Sequence, residues 1–517
     1  MVHMKIKPNC ISYAKLLAAL ITVAGMLFSM TGCSEDDTPP FMEEYEAPKA
    51  LEHTTIKFLF PGGEPKNWDK VKAEIEKRSA DTVNVSLDFR WELPVQYDNT
   101  VKMLDASGEV YDAFIFSKPD SRKPDFTKVA REGKLKDITK LFPRNAPSLF
   151  SKYTVEELDY ASLDGKIYAV PSLQTRAFCS YLMVDDELLK KYNLPDITDF
   201  DKFETFLKTI KENEPDLIPG TITNMSDTLD LFARASGYVI ADEARRLLYK
   251  WEDHEMKLVP WEKTSEFYEI VGYIVDWYKN GYLKFNAYQS KTASYIHYGD
   301  LEPLSQSTAQ MYTMDASGKL VGSNPLRCFH LYPEKPVQRD NPMGTFNGSG
   351  SFVFPAASDN TERALRFLEW VQQSSKNNYL VCYGIEGEDY VWSKGSPTLP
   401  EGMDYGNRSY FLWDGCFAFY NIEYNSIISD DSEITETAKD FMDKNTKYPP
   451  HGAFYPNYGV LQITADERQK YFTEFETRLT QGLIQDMAEV DAFINKLDEI
   501  GSAELVEEAQ KQMTVGE

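Results

Sequence analysis

Three tryptophans stand where a ring can do chemistry as well as packing: Trp91, Trp392 and Trp413 each lie in or beside a polar, loop-like stretch. An indole face is flat and apolar, so it can stack on the apolar face of a pyranose while the sugar hydroxyls bond at the rim. Backbone amides offer a second kind of chemistry. Pro61-Gly62-Gly63 follows the apolar run 54–60 and precedes a helical pattern, and N–H groups at a strand-to-helix turn bond an anion or a sugar hydroxyl. A plain tight turn is the alternative there. Ser117 follows the apolar run 110–116 in the same fashion, whereas Asp112 within that run reads as structural. Trp277 and Trp370 fall on helical stripes and read as core. Carboxylates are abundant, 81 in all, but glycoside hydrolysis needs two of them about 5 Å or about 6.5–9.5 Å apart, which sequence spacing does not reveal. No Gly-x-Ser-x-Gly elbow, His-Glu-x-x-His helix, Walker loop or dinucleotide fingerprint occurs, so catalysis is not expected.

A different chemistry is carried by Met30-Thr31-Gly32-Cys33. Lys5, Lys7 and Lys15 make a basic start, and 16–30 is almost wholly apolar. That run is shorter than the roughly 20 residues a membrane span needs and fits the apolar part of an export signal. Small residues followed by Cys at its end resemble a bacterial lipoprotein cleavage box, in which the Cys33 sulfur takes up lipid and becomes the new N-terminus. An ordinary signal peptide that happens to contain a cysteine is the alternative. Residues 1–32 are read as the signal and 33–53 as a flexible tether, because Asp36-Asp37-Thr38-Pro39-Pro40 and the acidic run after it favour a solvated segment. The membrane is then met through a lipid anchor only.

With 517 residues, the rest of the chain can bury a large core over more than one domain. Losing the three lysines of 1–32 takes the formal net charge from −26 to −29. Such a surface repels nucleic acid and anionic headgroups, and no basic stripe offsets it. Aromatic residues make up 13% of the chain, with 31 Tyr, 30 Phe and 8 Trp, a supply that suits sugar stacking as well as core packing. Cys179, Cys328, Cys382 and Cys416 remain beyond the signal and Cys33. An even number in an oxidising compartment allows one or two disulfides. No Cys-x-x-Cys occurs and the six His are scattered, so neither a metal nor a cofactor is expected.

The frame that must position these residues is legible in the apolar periodicity. The run 54–60 reads as a strand, Asn67 as a helix N-cap, and Val71 and Ile75 as one stripe of that helix. Val83, Val85, Leu87 and Phe89 alternate as a second strand, and 110–116 reads as a third. Strand, helix, strand at this spacing predicts a parallel α/β sheet. Phe203, Phe206, Leu207 and Ile210 predict a helix. Phe267, Ile270, Val271, Ile274 and Trp277 predict another, closed by Gly281, and Ala364, Leu365, Leu368 and Val371 a third, entered through Ser358-Asp359-Asn360. From Thr464 onward the chain reads as helical, with Thr464-x-x-Glu467 as a capping box, while 394–414 reads as loop.

Asp164-Gly-Lys-Ile-Tyr-Ala-Val-Pro171, a strand over 180–185, a helix ending in Lys191-Tyr-Asn-Leu-Pro195 and a Phe-rich helix beginning near Asp199 together resemble the extracellular solute-binding proteins of ABC importers, of the maltose-binding type (family 1). Tyr249-Lys250-Trp251, Trp261-Glu-Lys-Thr264 and Asp276-Trp-Tyr-Lys-Asn-Gly-Tyr282 resemble a narrower, LipO-type lipoprotein subgroup. So do Tyr383-Gly-Ile-Glu-Gly387 with Tyr390 and the tail ending in Gln510-Lys511-Gln512. The likeness covers most of the chain from about Thr54.

The resemblance implies an α/β, two-lobed periplasmic-binding-protein-like fold (type II) with hinge strands and a helical C-terminal extension, closing on ligand by hinge motion. It implies crossings between lobes near Pro171, between Lys291 and Asp300, and near Asn347. The N-terminal lobe is then 54–170 with 292–346, and the C-terminal lobe 171–291 with 347–517. Tyr168, Gln174 and Thr175 would flank the first crossing, and Asn347 with Ser349 the third. Amides there suit a sugar because they donate and accept without the desolvation cost of a full charge. The expected ligand-binding set is Gly62, Gly63, Trp91, Ser117, Tyr168, Gln174, Asn347, Trp392 and Trp413. The expected protein is a monomeric, non-catalytic, exported lipoprotein of the cell envelope, on the periplasmic face or the outer surface. It would capture a carbohydrate, an oligosaccharide by preference, or another small polar solute such as a peptide, and present it to ABC permease subunits. A SusD-like surface glycan-binding lipoprotein is the alternative, because Cys33-Ser-Glu-Asp-Asp37 is similar to surface-export signals of Bacteroidota lipoproteins. A secreted glycoside-active enzyme is a further one.

Overall fold

Short runs rich in Phe, Ile and Val make the first sheet. β1 (Thr54–Pro61) leads into α1 (Trp68–Ser79), followed by β2 (Val85–Glu92), β3 (Ala113–Phe116) and β4 (Ala169–Val170). β1 lies between β2 and β3 and runs parallel to both, with Phe58 opposite Phe89 and Phe60 opposite Trp91. Phe58 and Phe89 are buried and stack at 5.2 Å, each burial stabilising by about 1.5–3 kcal/mol. On α1 the expected stripe is present: Val71 and Ile75 are buried, together with Trp68 and Ser79. Asn67 holds the N-cap position, yet its side chain makes no cap bond. The computed structural model describes residues 51–515 except 94–95, 98–100, 102–108, 117–125, 174–176, 223–224, 286–291, 301–311, 315–319, 323–325, 331–336, 340–342, 344–349, 394–395, 405, 411, 413–416, 420, 422, 425–445 and 451. Cys33, Ser117, Gln174, Thr175, Asn347, Ser349 and Trp413 lie outside the described residues.

The second sheet is organised around one long strand. β5 (Ala177–Asp185) is followed in the chain by β6 (Thr221–Ile222), β7 (Ser294–Asp300), β8 (Leu326–His330) and β9 (Val337–Arg339). β7, β8 and β9 all pair antiparallel with β5, and β6 pairs parallel with β7. β10 (Ser351–Val353) then returns to the first sheet and lies antiparallel between β3 and β4. β11 (Thr446–Lys447) joins the second sheet beside β9.

The helices form where the 3.6-residue period places them. Phe203, Phe206, Leu207 and Ile210 of helix Phe200–Asn213 are fully buried, and the Asp199 carboxylate caps it by accepting from the Lys202 amide at 2.9 Å. Thr264 caps Ser265–Lys279 in the same way, and Gly281 follows with φ +69°, a conformation that ends a helix at little cost only in glycine. The tail consists of Gln462–Thr480, Met487–Ile500 and Ser502–Val515. Thr464 lies inside the first of these and is no cap, because the 3-10 turn Gly459–Leu461 runs directly into the helix.

Two cores result. The first gathers side chains from Ile56 to Val170 and from Met343 to Phe419; the second draws on Val184 to Phe329 and on Phe472 to Leu497. This corrects the expected division in two places. The strands β7, β8 and β9 belong with the second sheet, because they line both sides of β5, and the described residues from Ser351 to Phe419 belong with the first, because β10 fills the gap between β3 and β4. The chain therefore passes from first sheet to second between Val170 and Ala177, returns between Arg339 and Ser351, and crosses again between Tyr424 and Thr446. No crossing falls between Lys291 and Asp300. Cys382 is a free, buried thiol, so it is not a member of any disulfide that the cysteine count allows. Among the described residues, no helix is long and apolar enough to cross a membrane.

Candidate ligand site

The strand directions converge on one place. β1, β2, β3 and β4 end at Pro61, Glu92, Phe116 and Val170, and β10 begins at Ser351 on that same edge of the first sheet. In the second sheet Ala177 pairs with Arg339 and Phe178 with Asp300, so β7 and β9 end where β5 begins. Both of the first two crossings thus join the C-terminal strand edge of one sheet to that of the other. Open α/β sheets hold ligands outside the carboxyl ends of their strands, which makes this the candidate site.

Gly62 and Gly63 sit on that edge in different states. Gly62 is buried with φ +126°, and its N–H already donates to the Glu92 carbonyl at 2.8 Å, extending the β1–β2 ladder. The open amide expected there is therefore closed, because the turn continues the sheet for one more residue. Gly63 is exposed, and a Cβ on it would meet nothing within 4 Å. Helix α1 starts only at Trp68, so the glycines do not themselves form a helix N-terminus.

Trp91, next to last in β2, is half-buried. Its ring stands edge-on to Trp68 at 5.1 Å, and Trp68 in turn stacks on Phe89 at 4.9 Å. Trp392 is 42% exposed, on a short hairpin of Val391–Ser393 with Ser396–Thr398, the second strand of which falls inside the 394–414 stretch expected to be loop. Tyr379 and Tyr390 hold it edge-to-face at 5.1 and 6.1 Å. Burial, with the Glu386 charge adding to it, pushes the Tyr390 hydroxyl up to about 12, so that ring stays neutral. No ring contact joins Trp91 to Trp392, but a hydrogen-bonded link does. Asn67, adjacent to Trp68, donates its side-chain amide to both oxygens of Asp389, adjacent to Tyr390, at 3.0 Å each. A chain of contacts through Trp68, Asn67, Asp389 and Tyr390 thus connects the two indoles.

Tyr168 is half-buried against the first core one residue before β4, and its amide donates to Ala161. The first crossing is pinned by a residue sequence reasoning missed: Tyr153 donates its hydroxyl to the Pro171 carbonyl at 2.5 Å. The third connection was also missed. After β11, Tyr448 donates to Glu157 Oε1 at 2.9 Å and lies 5.6 Å from the Tyr160 ring, both in the first lobe. Arg339, the last residue of β9, stands 5.5 Å from the Tyr448 ring. Tyr455 then donates to the Tyr160 carbonyl at 2.9 Å, and Tyr249 of the second lobe donates to Pro450. The described residues of 446–458 form a strap fastened to both lobes. Its only sequence signal was the density of Tyr and Pro over 448–458. Asp112 accepts from the Lys57 amide and from Ser358 Oγ, which is a structural use. A cavity of about 1040 Å3 elsewhere, between the 254–263 segment and the last two helices, contains none of the expected ligand residues.

Residues 95–383 match the family of bacterial extracellular solute-binding proteins, more than half of the chain. The chain belongs to that family. A carbohydrate ABC transporter substrate-binding protein of Streptococcus pneumoniae serotype 4 (strain ATCC BAA-334 / TIGR4) is 22% identical to this solute-binding protein over 465 residues, covering 88% of this chain and 90% of its own. Among solved structures, the N-glycan transport solute binding protein (NgtS) from Streptococcus pneumoniae superposes with TM-score 0.69 at 19% identity, covering 89% of this chain and 98% of that one. The same protein in complex with Man5GlcNAc gives TM-score 0.59 at 19% identity, over 89% and 97%. These likenesses establish the two-lobed α/β fold.

Proposed function

We propose that this solute-binding protein captures an oligosaccharide between its two lobes and presents the closed, loaded form to an ABC-type permease. The observation that carries the reading is the aromatic rim. Trp91 stands at the C-terminal strand edge of the first sheet, Trp392 is linked to it through Asn67 and Asp389, each is held by perpendicular neighbours, and Trp392 is substantially exposed. Rings fixed in this way stack on pyranose faces at low conformational cost. The curated relative is a carbohydrate transporter component and the similar structure is an N-glycan binder, which supports the ligand class. The crossings after Val170, after Arg339 and after Tyr424 act as the hinge between a lobe of 54–170 with 351–424 and a lobe of 177–339 with 446–515. Cys33 carries the lipid that holds the protein at the envelope. No catalytic step belongs to this function; the ligand leaves as it arrived.

The test is calorimetric titration of the purified protein with mannose-capped N-glycan fragments and a panel of unrelated oligosaccharides. Binding to one glycan class, weakened about tenfold by Trp91→Ala or Trp392→Ala, is the expected result, since loss of one aromatic stack is worth about 1.4 kcal/mol. Unchanged affinity in both variants refutes the rim, and cleavage of the glycan during titration refutes the non-catalytic reading.

A further inference from the structure

We propose that Asp389 is a positioning residue for the ligand site, holding the Trp392 hairpin in fixed register with the Trp91 end of the rim; this rests on the reading of the two indoles as sugar platforms. Asp389 is 1% exposed. Asn67 Nδ2 donates to both of its oxygens at 3.0 Å, Ser409 Oγ donates to Oδ1 at 2.5 Å, and the Ile385 amide donates to Oδ2 at 2.9 Å. Three donor groups converging on two oxygens require an acceptor-only group, which an ionised carboxylate is and an amide is not.

Two further features show that the surrounding chain is arranged around this carboxylate. Gly384 has φ +88°, and a Cβ there would lie 2.5 Å from Asp389 Oδ2, so only glycine admits the approach. Asn67 occupies an N-cap position, yet leaves α1 uncapped and turns its amide to Asp389 instead. The link is contiguous: Trp91 against Trp68, then Asn67, Asp389, Tyr390 and Trp392. A glycan long enough to meet both indoles senses their separation, and Asp389 sets it.

The experiment is a double-mutant cycle with Man5GlcNAc as probe, using Asp389→Asn, Trp392→Ala and the double variant of the purified protein. In the same proteins without ligand, backbone amide exchange is measured over 385–393. The expected result is about three- to tenfold weaker binding in Asp389→Asn, no further loss when that change is added to Trp392→Ala, and faster exchange across 385–393. A residue with only a general structural role would give additive losses, so an additive cycle overturns the proposal. Unchanged exchange in Asp389→Asn overturns it as well. If Trp392→Ala alone binds as well as the parent, Trp392 is no platform and the proposal falls; if neither this probe nor any oligosaccharide of the panel binds, the function reading fails. The exchange data then still decide whether Asp389 holds the hairpin.

Discussion

Replacing Tyr448 by Phe removes one hydroxyl from the strap and leaves its ring packing in place. The Tyr448 hydroxyl donates to Glu157 Oε1 at 2.9 Å, across the join between the second sheet, which β11 belongs to, and the first core. A hydrogen bond to a charged group contributes about 1.5–3 kcal/mol net. Glu157 is half-buried, and its other oxygen already accepts from the Thr154 amide at 2.9 Å. Water can therefore take the vacated place, and the expected loss is nearer about 1–2 kcal/mol. Burial, reinforced by the Glu157 charge, holds the Tyr448 hydroxyl well above its ordinary pKa, so the loss is constant through the neutral pH range. If the bond opens when the lobes part, about 1.4 kcal/mol shifts that equilibrium about tenfold toward open forms. Urea unfolding measures the first quantity, and distances between spin labels on the two lobes of the ligand-free protein measure the second. A variant within about 0.3 kcal/mol of the parent and with an unaltered distance distribution would refute the strap as an interlobe fastening.

Two other outcomes follow from charges in the second lobe. Glu262 and Arg468 form a two-bond pair at 2.9 and 2.7 Å with side chains 0% and 1% exposed, and Arg468 also donates to Ser502 Oγ at 2.5 Å. Glu262→Gln leaves the guanidinium buried without its counter-charge and should cost about 3–5 kcal/mol in urea unfolding, whereas replacing both residues by apolar ones should restore much of it; a loss under about 1 kcal/mol would contradict this account. Burial alone would raise the Glu266 carboxyl, but hydrogen bonds from Lys250, from its own backbone and from Ser265 hold it at about 2. Because that is below the unfolded value of about 4.3, the contribution is complete above about pH 4.3 and fades as pH falls toward 2. Solvent screening keeps it below about 1 kcal/mol. Glu266→Gln should flatten the acid limb of a stability-against-pH curve, and an unchanged limb would count against the Lys250 pairing.

Local structure was readable where it depends on neighbours a few residues away. Phe203, Phe206, Leu207 and Ile210 specify a buried helix face by their spacing alone, and Asp199 and Thr264 cap helices through donors three residues on. Asn67 has the same local credentials as those caps but serves a different end, because its acceptor lies 322 residues away. Thr464 failed as a cap for the opposite reason: the turn before it is itself helical and extends the helix past it. The crossings near Pro171 and Asn347 were placed through family likeness, and assigning β7, β8 and β9 to the first lobe and β10 to the second was an error of strand pairing. Backbone ladders form between any two strands of suitable length and direction, so the sequence of β7 or β10 carries little record of which partner it joins.

The candidate site divides along the same line. Trp91 and Trp392 could be singled out as candidates because their ring chemistry and polar surroundings are local properties. Gly62 was misjudged because its amide answers to Glu92 on a neighbouring strand, and Tyr153, Tyr448 and Asp389 were missed because their partners are distant in the chain. By itself, then, the sequence determined the elements, the family and the chemical types available for binding, since periodicity and side-chain chemistry act over a few residues. Only the tertiary structure decided which strands share a sheet, which amides remain open and which rings share a rim, since those depend on contacts between residues hundreds of positions apart.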